Sequence, residues 1–130
     1  MKVDTVNINP GNVTEQVMFE DSFGGTQTGS PENFTSEISI GNEICWQAIP
    51  RDAQTGDTVT IDKITYEADT NILGVTELLC NCQGHVAGNA LHGTEGDEQE
   101  YGVYFTVTRG TEPPVQFFID PKLKIHNTTP

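Results

Sequence analysis

The stretch Tyr101-Gly102-Val103-Tyr104-Phe105-Thr106-Val107-Thr108 decides the fold. In an extended chain Tyr101, Val103, Phe105 and Val107 share one face, and Gly102, Tyr104, Thr106 and Thr108 share the other. A period of two carried by β-branched and aromatic residues marks a strand with one face in a core and one face toward water. The tail repeats the pattern, with Leu123 and Ile125 pointing one way and Lys122 and Lys124 the other. Weaker strands are expected at Val3–Ile8, Gln16–Glu20, Thr35–Ile40, Glu43–Ile49, Ile72–Leu79, His85–Leu91 and Val115–Ile119.

One further strand candidate, Asp57–Glu67, changes phase part-way. Val59 and Ile61 stand at odd positions, Ile64 and Tyr66 at even ones. A flat strand cannot bury both pairs on one side, and a bulge near Asp62-Lys63 would absorb the extra residue. Turn signals separate the runs at Asn9-Pro10-Gly11, Thr55-Gly56-Asp57, Glu95-Gly96-Asp97 and Gly110 to Pro114. Gly41-Asn42 reads as a two-residue hairpin turn joining its neighbours. Ser22–Asn33, rich in Gly, Ser and Thr, reads as a mobile loop. No segment keeps a helical period for more than about two turns. The expectation is one all-β domain over residues 1–130, an antiparallel β-sandwich of jelly-roll or immunoglobulin-like type with about eight or nine short strands.

Charge narrows the partners. The 130 residues carry six Lys+Arg against 19 Asp+Glu, a formal charge of −13, and the sequence pI is near 4.2. Such a surface repels nucleic-acid backbones and anionic lipid, so neither is an expected partner. No apolar run reaches the roughly 18 residues that cross a bilayer. No apolar stretch of signal-peptide length follows Met1, which favours a cytoplasmic location.

Three groups of side chains could carry chemistry. In Cys80-Asn81-Cys82-Gln83-Gly84-His85, alternation puts both sulfurs on one face and Gly84 lets His85 return toward them. Cys45, His92 or His126 could complete a tetrahedral zinc site. The competing readings are small buried side chains, or a disulfide from Cys45 to Cys80 or Cys82. Glu95, Asp97, Glu98 and Glu100 form an acidic run able to supply oxygens to calcium. The same run can equally be a solvated turn that protects a sheet edge. Among the aromatics, Trp46 falls in phase with Ile44 and Ala48 and belongs to the core. Tyr104 stands on the polar face of its strand and is the candidate ligand-binding aromatic.

Catalytic signatures are missing from the sequence. It contains no Gly-x-Ser-x-Gly elbow and no phosphate-cradling glycine loop leading into a helix. The composition and patterning therefore point to a non-catalytic binding or self-association role, with a homo-oligomer or a protein or carbohydrate as partner. A calcium- or carbohydrate-binding module built on the acidic loops is the alternative, and a small hydrolase the third reading. No cofactor is expected other than calcium.

The C-terminal stretch carries a resemblance. Tyr101–Thr108, a Gly/Pro turn, then Phe117-Phe118-Ile119-Asp120-Pro121-Lys122-Leu123-Lys124-Ile125 is similar to the closing hairpin of the bacterial inclusion-body protein family. Chains of that family end with an alternating strand, a turn, an aromatic residue, Asp-Pro and a short apolar strand. They tend to place Trp before Asp-Pro, where this chain has Ile119. The resemblance implies an all-β sandwich and a non-enzymatic, often self-associating protein, and carries over no site residues. Read locally, Pro121 lacks an amide hydrogen, so a strand must begin there or lie at an edge. Asp120 is expected to fix the bend through a bond from the backbone that follows.

Overall fold

The computed structural model describes residues 1–19, 34–79 and 85–126. In chain order the elements are β1 (Lys2–Val3), α1 (Val13–Gln16), β2 (Val17–Met18), β3 (Thr35–Ile38), β4 (Glu43–Trp46) and β5 (Ile49–Pro50). After a 3-10 turn at Ala53–Thr55 come β6 (Thr58–Asp69), β7 (Glu77–Leu79), β8 (Val86–Asn89), β9 (Glu98–Thr108), β10 (Val115–Ile119) and β11 (Lys122–Ile125). The chain is all-β, and no helix among the described residues is long and apolar enough to cross a membrane.

β6 and β9 form the backbone of the largest sheet, antiparallel from Thr58 opposite Thr108 to Asp69 opposite Gln99. Their inner side chains, Val59, Ile61, Ile64, Tyr101, Val103, Phe105 and Val107, are all buried. The pairing jumps between Ile61 and Lys63, the irregularity that the odd-to-even change of phase demands. Asp62, left over at the bulge, accepts hydrogen bonds from Thr106 Oγ1 at 2.6 Å and Gln116 Nε2 at 3.0 Å. A second shift falls between Tyr66 and Ala68.

On the other side of β9 lie β10 and β11, and both follow one register. Val115 stands opposite Val107 and Ile119 opposite Val103, while Lys122 stands opposite Glu100 and Lys124 opposite Glu98. The two are a single line interrupted at Asp120-Pro121. Pro121 can donate nothing to the ladder, although its carbonyl still accepts from Tyr101 N at 3.1 Å. The strand order is β3-β11-β9-β6-β7, with β10 also on β9.

Opposite this sheet lie the three-stranded β2-β1-β5 and the pair β4-β8. One apolar cluster joins the layers and contains Trp46, Tyr101, Phe105, Phe117, Phe19 and Phe34. Trp46 Nε1 donates to Tyr101 Oη at 3.2 Å, and the two rings meet edge-on at 5.6 Å. Cys45 is exposed while Trp46 is buried, as the alternation requires. The sheets are mixed, because β3 runs parallel to β11 and β1 parallel to β5.

Three local expectations are corrected. Of the strand expected at Ile72–Leu79 only Glu77–Leu79 is extended, after a turn closed by Gly74 N donating to Asn71 O at 3.2 Å. The chain does turn at Gly41, at φ 92°, and Asn42 Oδ1 accepts from Ser39 N at 2.8 Å. No hairpin results, because β3 pairs with β11 and β4 with β8. The turn carries the chain from one layer to the other. The strand expected at Val3–Ile8 stops at Val3, because the Asp4 carboxylate captures the amides of Val6 and Asn7, each at 3.2 Å, and bends the chain. The loop expected at Ser22–Asn33 lies outside the described residues.

Candidate binding face

The inner face of the large sheet is spent on the core, so the outer face is where side chains can meet a partner. Register places them in rows across the strands. Glu37, Lys124 and Glu98 form one row, and Thr35, Lys122 and Glu100 the next. Lys124 therefore sits between two carboxylate-bearing strands, the favourable arrangement for cross-strand charges. Gly102 and Thr65 follow, with Glu77 beyond them on β7. The row after that is Phe118, Tyr104, Lys63 and Leu79.

This last row is the apolar centre of the face. The Tyr104 and Phe118 rings lie 4.8 Å apart at 56°, and Lys63 Nζ sits over the Tyr104 ring at 4.7 Å. Lys63 also pairs with Glu77 at 3.5 Å. Phe118 is 39% exposed and Leu79 68%. Gly102 makes the arrangement possible. A Cβ there would run into the Phe118 ring and come within 2.6 Å of Thr65 Oγ1 and 2.8 Å of Glu67 Oε1. Only glycine lets the ring lie down on the sheet.

Beside the aromatic row stands a pair of acids. The Glu100 carboxyl is hydrogen-bonded to that of Asp120, and this bond is the main reason its pKa lies above the usual carboxylate range. Partial burial and the charges of Asp120 and Asp69 push the same way, while Lys122 opposes them. Asp4, by contrast, is held below its ordinary value, first by the Asn7 side-chain amide, which donates at 2.9 Å.

The candidate residues scatter over this framework. Tyr104 is on the outer face as expected. Glu98 and Glu100 also point outward from β9, each opposite a lysine. Glu95 pairs with His126 at 3.0 Å, and Asp97 Oδ2 accepts from Thr94 N at 2.8 Å. The acidic run is therefore divided between a turn and a strand. His85 immediately precedes β8, whereas Cys80 and Cys82 lie outside the described residues. Among the described residues no three His, Cys, Asp or Glu side chains are grouped to hold a metal ion.

Neither a family model nor a curated sequence matches the chain. Among solved structures, the crystal structure of inclusion body protein PixA from Burkholderia cenocepacia J2315 superimposes with a TM-score of 0.63. The match covers 92% of this chain and 81% of that one at 11% identity. The fold is similar to that of an inclusion body protein. The C-terminal resemblance and the fold thus point the same way, and the likeness extends well beyond the last two strands.

Sequence reasoning overlooked Phe118, Lys63, Leu79 and Gly102. A signal existed for the first: Phe117 and Phe118 are adjacent on a strand, so one of them must point outward. Phe117 is buried at 5% exposure and Phe118 is the one left outside.

Proposed function

We propose that this protein acts without catalysis, by associating with copies of itself. The observation that carries the reading is the set of large apolar side chains left exposed on a chain of charge −13, Phe118, Leu79, Met18 and Ile49 among them. Exposed apolar groups on a strongly charged molecule favour association that charge opposes. The fold likeness to an inclusion body protein supports the same reading.

Lowering the pH toward the pI near 4.2 removes the opposition. Light scattering on the purified chain from pH 8 down to pH 5 is the test. The mean mass should rise as the pH falls. A monomer at every pH would refute self-association.

A second reading is favoured by Tyr104: an outward aromatic beside the Phe118 ring and the Lys63 ammonium is the kind of surface against which a sugar ring packs. Retardation of the chain in gels containing polysaccharide would support it, and Tyr104→Ala should then abolish the retardation.

A further inference from the structure

We propose that a second copy of this chain docks on the outer face of the large sheet, centred on the row Phe118, Tyr104, Lys63 and Leu79. The inference rests on the self-association proposed above and names its surface.

Size favours this face. Its strands, three to 12 residues long, at about 4.8 Å spacing and about 3.3 Å per residue offer roughly 600 Å². A standard interface takes about 800 Å² from each partner, so a face of this size suits a weak, concentration-dependent pair. Another exposed row, Met18, Lys2 and Ile49, belongs to the sheet whose strands are two residues long, which is too small to hold a partner alone.

Charge favours it as well. Lys63, Lys122 and Lys124, half of the chain's six Lys+Arg, stand on the outer face. They are interleaved with Glu37, Glu98, Glu100 and Glu77. These lysines meet acids of their own sheet, so the face carries a smaller excess of negative charge than the rest of a −13 chain, and two copies repel each other least there.

The row is also self-complementary. In an isologous pair, residue i meets residue j while j meets i. A two-fold axis running along the strands between β9 and β6 sets Phe118 against the partner's Leu79 and Tyr104 against the partner's Lys63. The most exposed apolar groups of the row then cover one another. Lys63 need only exchange its own Tyr104 ring for the equivalent ring across the interface. The cost is a like-charge approach of Asp120 to the partner's Glu77.

Sedimentation equilibrium at pH 6 on the full chain tests this, with Leu79→Ser and Lys63→Glu as face variants and Ile49→Ser as the control. Leu79 and Ile49 are both more than half exposed, so their substitution leaves the fold intact, which thermal unfolding verifies. Leu79→Ser and Lys63→Glu should each weaken association about tenfold or more, as loss of a central contact does. Ile49→Ser should leave it within about twofold. If the wild type associates and the face variants associate equally well, or if Ile49→Ser abolishes association, the face is wrong and self-association stands. If the wild type stays monomeric, self-association itself falls.

Discussion

On β9, alternate residues live in two environments that obey different rules. Tyr101, Val103, Phe105 and Val107 are buried to 2% exposure or less and are fixed by volume against the opposite layer, while the equally buried Gln99 accepts from Leu73 N at 3.1 Å. Glu98, Glu100, Tyr104 and Thr106 are half-buried, and their positions are fixed by pairing with neighbours in the same sheet. Gly102 is the exception that joins the two regimes. It belongs to the outer face yet is buried, because Phe118 lies over it. One strand thus supplies both the density that holds the fold and the patterned surface that can recognise a partner.

The largest expected effect separates the faces directly. Phe105→Ala, at 0% exposure, should cost about 3–5 kcal/mol in urea unfolding, for lost transfer energy and the cavity left behind. Phe118→Ala should cost about 1 kcal/mol in the monomer. Equal losses would break the comparison.

Gly102→Ala comes next, at about 1–3 kcal/mol, because the new methyl group meets the Phe118 ring, Thr65 and Glu67. A double-mutant cycle sharpens the point. In a Phe118→Ala background the same methyl should cost measurably less, since one of its obstacles is gone. Asp62→Ala should cost about 1 kcal/mol, for the two outer-face hydrogen bonds to the bulge.

The smallest effects concern protons, and here two acids should behave oppositely. Glu100 binds its proton more tightly in the folded state than its ordinary value of 4.5 implies. The stability linked to it is complete below pH 4.5 and is lost as pH rises through the folded value. Asp4 lies below its ordinary 3.8. Its contribution is present above that pH and is lost as pH falls through the folded value. In melting temperatures recorded against pH, Glu100→Gln should flatten the decline just above 4.5, and Asp4→Asn should flatten the loss below 3.8. A Glu100→Gln profile identical to the wild type would show that the Glu100–Asp120 contact carries no linkage.

Alternation is a local property, which is why so much of the inner face was readable. Val115–Ile119 has the bounds expected for it, Trp46 is buried, and the bulge sits at Asp62 where the phase of Val59, Ile61, Ile64 and Tyr66 changes. Partner choice is not local. Nothing around Gly41-Asn42 indicates that β3 will run parallel to a strand more than 80 residues later. The outer-face rows depend on the same distant register. Glu98 meets Lys124, and Tyr104 meets both Phe118 and Lys63, although no short stretch of sequence contains any of these pairs. The acids from Glu95 to Glu100 fail in the opposite direction. They are neighbours in sequence, but β9 begins at Glu98 and divides them between a turn and a sheet face.

Hydroxyl-radical footprinting of the intact chain, read by mass spectrometry at low and at high protein concentration, probes both faces at once. In dilute solution Tyr104, Phe118 and Leu79 should be oxidised while Tyr101, Phe105 and Phe117 are spared. On concentration the first group should become protected and the second should not change. Oxidation of Phe105 at the rate of Phe118, or protection that appears at Met18 and leaves Phe118 reactive, would contradict the division of β9 into a structural and an associating face.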